Sequence, residues 1–223
     1  MPNWCENTIK IIGEESALKQ LMKKCGLDKE EPDFDFDAII KTPVELANST
    51  SPLKVVETTE EAQHINNGCN RVDCNICGGS IQAITKKEEK RRFAKYGAID
   101  WCGFRIKNWG TKWSADSAHI HEQVFDGRNS YIIVEFLTPY SPAVGIAKRL
   151  IDEGFDITGA YVENGTELHG YYLDRQGDFI IKQVYGMLSL DDTPCDEEDF
   201  IFTEKAEDDT MDDGDFRIYV IDW

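Results

Sequence analysis

The sequence predicts an α+β fold in which an antiparallel sheet carries two helices on one face. Three observations lead there. Two amphipathic stretches of helical period each follow a strand-like run, and several later segments alternate apolar and polar residues between hairpin turns. The resulting order of strand, helix, strand, insertion, strands, helix, strands suits an antiparallel meander with its helices on one side.

The elements follow in turn. "NTIKIIG" (residues 7–13) reads as the first strand, with Ile9 and Ile11 on one face and Gly13 as its stop. "EESALKQLMKKCG" (14–26) sets Leu18, Leu21, Met22 and Cys25 at helical spacing, with Ser16 as a cap and Gly26 as terminator. "FDFDAIIKTP" (34–43) alternates Phe34, Phe36 and Ala38 with aspartates and is expected to be a strand ended by Pro43. Residues 42–90 are polar, contain "NSTSP" and a cysteine cluster, and read as an insertion with a helix toward "KKEEKRRFAKYG" (86–97). "AIDWCGFRIKNWGTKW" (98–113), with its two glycines, is expected to be a turn or short hairpin.

Two further strands, "AHIHEQVF" and "SYIIVEFLTP", are joined by the turn "DGRN". The second helix is "SPAVGIAKRLIDEG" (141–154), where Pro142 suits the first turn and Val144, Ile146, Ala147, Leu150 and Ile151 form the apolar face. Strands broken at "ENGTE" and "DRQGD" complete the sheet, and "FRIYVIDW" (216–223) alternates as a last strand. The division expected is a sheet domain over 1–185 with an insertion at about 44–95, then an acidic extension over 186–223 that ends in a strand.

The totals bound the function. A chain of 223 residues, 41% hydrophobic, builds a real core. No run reaches the roughly 18 to 20 apolar residues of a membrane span, and the start "MPNWCENTIK" has no apolar signal segment, so the expected place is the cytoplasm of a host cell. Seven cysteines, an odd number, favour reduced thiols or metal ligation over a disulfide framework. A net charge of -18 argues against direct nucleic-acid or anionic-membrane binding unless a basic patch overrides the field locally. The charge is concentrated: residues 191–215 hold 13 carboxylates against the single cation Lys205. Partners with a basic surface, or mimicry of nucleic acid in a phosphate-binding groove, follow as expectations.

Five words resemble one family in its order: "PNWCENTIKIIG" (2–13), "FDFDAIIKTPVEL" (34–46), "NWGTKWSA" (108–115), "FLTPYSP" (136–142) and "AYVENGTELHG" (160–170). Together they resemble the YubB-type ferredoxin-like domain of plasmid and phage proteins, a domain of unknown function, over roughly residues 1–175. Tyr140 stands where that family has tryptophan, and the cysteine-bearing insertion and acidic segment are additions. The resemblance implies a ferredoxin-like fold and an origin in a mobile element, and it carries no catalytic residues.

Four groups are candidates for chemistry. In "NWGTKW", Asn108, Trp109, Lys112 and Trp113, with Trp4, would let indoles stack a base while Arg105, Lys107 and Lys112 hold a phosphate. The competing account is aromatic packing with bonded indole N–H groups. In "HINNGCNRVDCNICGG", Cys74 and Cys77 form a CxxC followed by two glycines, the outline of a zinc knuckle that Cys69 and His64 would complete; free thiols in a polar loop are the alternative. His119 and His121 alternate on a strand and share a face, where solvation is the simpler reading because Glu122 and Glu135 are loosely placed. The fourth group is the acidic surface of Asp191, Asp192, Asp196, Glu197, Glu198, Asp199, Asp208, Asp209, Asp212 and Asp213, either a solvating loop or a docking patch with interleaved Phe200, Ile201, Phe202 and Met211.

Common nucleotide and hydrolase signatures are missing from the sequence. The reading that results is a non-catalytic binding protein whose acidic surface engages, and inhibits, a host nucleic-acid-handling or defence protein. A small-ligand or nucleotide pocket at "NWGTKW" is the alternative. No cofactor is expected apart from zinc.

Overall fold

Strand β1 (Trp4–Gly13) is the axis on which the sheet is assembled. The computed structural model describes residues 3–69, 71–127, 130–165, 168–175, 178–185, 200–201 and 219–220. After β1 come α1 (Glu15–Cys25), α2 (Phe36–Ile39), α3 (Val44–Ala47), β2 (Lys54–Val56), α4 (Thr59–Asn66), β3 (Ala83–Thr85), α5 (Lys86–Tyr96) and α6 (Trp101–Trp109). The second half holds β4 (Asp116–Val124), β5 (Ser130–Pro139), α7 (Val144–Asp152), β6 (Asp156–Glu163), β7 (Leu168–Arg175) and β8 (Asp178–Tyr185), then the short β9 (Phe200–Ile201) and β10 (Tyr219–Val220). The chain divides into two units, Met1–Ile39 with Trp113–Trp223, and Ile40–Lys112.

The first unit is an antiparallel six-stranded sheet in the order β4-β5-β1-β6-β7-β8. Within it β1, α1, β4, β5, α7 and β6 run as β-α-β-β-α-β, with the first strand between the third and fourth. This is the split β-α-β arrangement. Alternation fixes the two faces. Cys5, Asn7, Ile9 and Ile11 of β1 lie in register with Thr138, Phe136, Val134 and Ile132 of β5, and all of them are buried. Against this face α1 buries Leu18, Leu21, Met22 and Cys25, while α7 buries Ile146, Ala147 and Leu150. Asn7 ties the layers together: its Nδ2 donates to Cys5 O at 2.9 Å and Thr138 Oγ1 at 2.8 Å, and its Oδ1 accepts from the Ala143 N–H at the start of α7. Gly159 is required where it stands, because a Cβ there would meet the Tyr172 ring at 2.5 Å.

Three local expectations are corrected. "FDFDAI" is not a strand: Asp35 Oδ1 accepts the Asp37 N–H at 2.9 Å and starts the helical turn α2. The two phenylalanines then close an edge-to-face cluster with Phe136, at centroid distances of 5.3, 5.2 and 5.8 Å. "WCGFRIKNW" is helix α6 rather than a hairpin, because Asp100 caps it by accepting the Gly103 N–H at 2.8 Å and Gly110, at φ +90°, ends it. Ser16 is no cap; Glu14 holds that position without a side-chain bond, and Gly26 at φ +83° terminates α1 as expected.

The second unit runs from Ile40 to Lys112, wider than the 44–95 of the sequence reading because α6 belongs to it. Its β2 and β3 pair in parallel, Lys54–Val56 against Ala83–Thr85. One small core holds Val56, Ala62, Ile65, Cys77 and Ala83, with Cys69 and Cys74 packed on it. Another holds Leu46, Ala98 and Phe104, with Ile40 and Tyr96 against it. At the C-terminus, Tyr219–Val220 pairs antiparallel with Phe200–Ile201. The ten acidic candidates between 191 and 213 lie outside the described residues.

Candidate metal centre

Helix α4 presents the first candidate ligand. A capping box starts it, with Thr58 Oγ1 accepting the Glu61 N–H and Glu61 reaching back to the Thr58 N–H, so that His64 falls in the last turn. On the inward face Ala62 and Ile65 enter the small core. Asn66 then docks the helix on β3, donating from Nδ2 to Ala83 O at 3.0 Å while its Oδ1 accepts the Ala83 N–H at 2.8 Å. An amide side chain thereby does the work of a strand partner.

The other ligands come from the loop between α4 and β3. Its backbone folds on itself: Cys74 N–H donates to Arg71 O, Gly78 N–H to Cys74 O at 2.8 Å, Gly79 N–H to Arg71 O, and Ser80 N–H to Cys77 O. Gly78 and Gly79 have φ of +53° and +83°, which their lack of a Cβ makes inexpensive. This turn brings Cys74 beside His64, Nε2 to Sγ 3.3 Å, and Cys69 beside Cys77, Sγ to Sγ 3.5 Å. All four ligand atoms lie within 4.8 Å of one another.

These separations discriminate between chemistries. A disulfide would bring two sulfurs to about 2.05 Å, far inside the observed 3.5 Å. Tetrahedral ligands about 2.0 to 2.3 Å from an ion have edges of roughly 3.3 to 3.8 Å, the range of the two close pairs. Electrostatics agrees. The Cys74 thiol is lowered to about 6, first by the Cys77 backbone N–H, then by His64 and the Ile76 backbone. Cys69 accepts a bond at the Arg71 backbone, which lowers it, yet its neighbours Cys77 and Cys74 and its burial outweigh this and raise it. Crowded thiols of this kind are relieved by a cation placed among them. The donor set Cys₃His fits a closed structural site, and the residues predicted from the sequence are the ones brought together.

The tryptophan group is arranged differently. Trp109 is fully buried, its Nε1 donating to Ile40 O at 2.8 Å, and the Arg105 guanidinium lies 4.4 Å from its ring centroid. Arg105 also covers Trp101 at 5.2 Å and donates from Nε to Thr42 Oγ1, while Lys112 stands 5.7 Å from the Trp101 ring. Asn108 Nδ2 donates to Phe104 O within α6. Trp113, 40% exposed, and the half-buried Trp4 belong to the other unit. Trp101 is not among the residues the sequence singles out, because the glycines Gly103 and Gly110 suggest a turn where α6 stands.

Sequence spacing also missed a contact on the sheet. Glu135, read as loosely placed, meets both strand histidines: His119 Nε2 lies 2.9 Å from Oε2, and His121 Nδ1 lies 3.4 Å from Oε1.

The fold and site thus define an α+β protein with a Cys₃His cluster in an inserted unit. No family model matches the chain. No curated protein matches it either. Among solved structures it is similar to the crystal structure of protein api92 from Yersinia pseudotuberculosis, which belongs to the family model DUF1281. The identity is 10%, over 85% of this chain and 99% of that one, with a TM-score of 0.38, a likeness too slight to bear on function. No helix among the described residues is long and apolar enough to cross a membrane.

Proposed function

We propose that the chain is a non-catalytic binding protein of the YubB-type, plasmid and phage kind: a ferredoxin-like sheet whose inserted unit folds around one structural zinc ion. Its acidic segment engages, and inhibits, a host protein with a basic surface that handles nucleic acid or serves in defence. The observation that carries the metal half is the convergence of His64, Cys69, Cys74 and Cys77. Zinc suits it, because three thiolates and an imidazole in a closed set match its structural sites, and the ion would neutralise the crowded sulfurs. The site is spatially tied to the small core, so the ion would supply folding energy rather than chemistry.

Charge distribution supports the partner half. The inserted unit, Ile40–Lys112, carries 12 Lys and Arg against 8 Asp and Glu, so the excess of negative charge lies elsewhere, densest at 191–215. Long-range attraction from such a segment speeds encounter with a basic partner. The rival pocket reading finds less support, since the Trp109 indole is covered and its N–H is already bonded.

Two measurements test the proposal. Protein purified without chelator should hold close to one zinc per chain, and less than about a tenth of an equivalent would defeat the metal half. Capture from host lysate tests the other half. If a variant with six of the carboxylates in 191–213 neutralised retains every captured partner at low salt, the docking reading is wrong.

A further inference from the structure

We propose that His119, His121 and Glu135 form a second metal site, an exchangeable one for a divalent transition ion of the zinc or nickel class, on the edge strand of the sheet. The strand is distorted where these residues meet. The β4/β5 register shifts between Asp116 and His119 and again between Ile120 and Glu122. Ser117, a residue with a side chain, sits at φ +52° two positions before the first histidine. Two irregularities and a left-handed residue within seven positions re-aim side chains, as bulges beside functional sites do. Without the second shift His121 would stand opposite Ile133; instead Glu122 takes that register and His121 closes on Glu135.

The geometry suits an ion. His119 Nδ1 lies 3.5 Å from Ser117 O, which turns Nε2 toward Glu135; a carbonyl behind the second nitrogen is the usual support for a ligating imidazole. His119 Nε2 to Oε2 is 2.9 Å and His121 Nδ1 to Oε1 is 3.4 Å. Ligand edges around one ion bound at about 2.0 to 2.2 Å run roughly 2.8 to 3.1 Å in octahedral and roughly 3.3 to 3.6 Å in tetrahedral coordination, so the 3.4 Å contact has tetrahedral spacing, while the 2.9 Å contact is of hydrogen-bond length and has octahedral spacing. The imidazoles meet different carboxylate oxygens, so a single ion shared by the three residues requires the exposed rings to rotate toward each other. Two nitrogens and a carboxylate leave open positions for water, unlike the closed knuckle, and exposure of both rings lets the ion come and go. Each imidazole binds through the lone pair of one ring nitrogen and keeps the proton on the other. The neighbouring polar groups are accounted for: Glu122 accepts from Tyr131 Oη at 2.8 Å, and Asp116 accepts from Ser117 Oγ. The rival account is that bulges and charges only guard an exposed edge from pairing with another chain.

The test uses the full chain already holding one zinc equivalent, titrated with Ni²⁺ and with Zn²⁺ in equilibrium dialysis. A second equivalent should bind, and His121→Asn or His119→Asn should weaken it about tenfold or more while leaving the first in place. Ring NMR signals of His119 and His121 should shift in step with the second equivalent. Binding of one equivalent only, or a second equivalent unchanged in the His119→Asn/His121→Asn double variant, overturns the proposal and leaves an adventitious ion only. Cobalt separates the two centres, because a thiolate charge-transfer band belongs to the cysteines alone. Loss of that band with histidine-dependent binding retained would sink the zinc-knuckle reading and not this one.

Discussion

The indole Nε1 of Trp109 donates to the carbonyl of Ile40 at 2.8 Å, closing the inserted unit on itself from its last helix to its first residue. Because Trp109 is fully buried, that carbonyl has little access to water once the donor is lost. Trp109→Phe should therefore destabilise the protein by about 1 to 3 kcal/mol, and Trp109→Ala by about 3 to 5 kcal/mol, in urea unfolding. Equal stability of Trp109→Phe and the parent would remove the bond from the account.

Gly159 has Tyr172 over it. Adding a methyl group forces a buried ring to move, since the contact would be 2.5 Å, and Gly159→Ala should cost about 1 to 3 kcal/mol. Combining it with Tyr172→Leu should cost less than the two changes summed, because they share one space. Strict additivity in a double-mutant cycle would contradict this packing.

Asn7 is a buried amide whose three bonds reach Cys5 of its own strand, Thr138 of β5 and Ala143 at the start of α7. Asn7→Ala leaves Cys5 O, Thr138 Oγ1 and the Ala143 N–H each short of a partner. A loss of about 2 to 4 kcal/mol is expected, read as a lowered urea midpoint with an unchanged slope.

Alkaline pH should unfold the chain partly through two thiols. Burial pushes Cys5 and Cys25 each up to about 12 from an ordinary 9.0. Between those values the folded thiols hold protons that the unfolded ones release, so the stabilisation is complete below pH 9.0 and is lost as pH rises toward 12. Each group adds a slope of up to about 1.4 kcal/mol per pH unit in that window. The Cys5→Ala/Cys25→Ala variant should show a shallower decline there, whatever its stability at neutral pH; parallel curves would refute the assignment.

Metal removal should act locally. With a chelator present, amide protection in α4 and β3 should fall while β1 and β5 keep theirs, since the four ligands pack on the core of the inserted unit. His64→Asn should weaken zinc by about tenfold or more while leaving the sheet intact. Uniform protection with and without chelator would contradict this role.

Much of the sheet could be read in the sequence because its alternation is plain. Ile9 and Ile11 of β1 and the apolar run of β5 announce one buried face, and the hairpin words mark where strands turn. The cysteine cluster was legible for a different reason: CxxC followed by glycines names a turn as well as its ligands. What escaped depends on side chains overruling pattern. "FDFD" alternates like a strand, but Asp35 accepts a local N–H and bends the chain into a helix. "WCGFRIKNW" contains a glycine that suggests a turn, yet a capped first turn tolerates it. The pairing of His119 and His121 with Glu135 could not be read at all, since it arises from register shifts between two strands and spacing along one strand carries no trace of them.

None of the six strands of the main sheet comes from between Ile39 and Trp113. The whole inserted unit occupies one crossover, the passage from the first helix to the edge strand. A flexible connection grows entropically costlier by only about 0.6 kcal/mol for each doubling of its length. That joint can therefore carry a unit with a small core and a candidate ligand set of its own while the hydrogen-bond ladder of the six strands keeps its spacing.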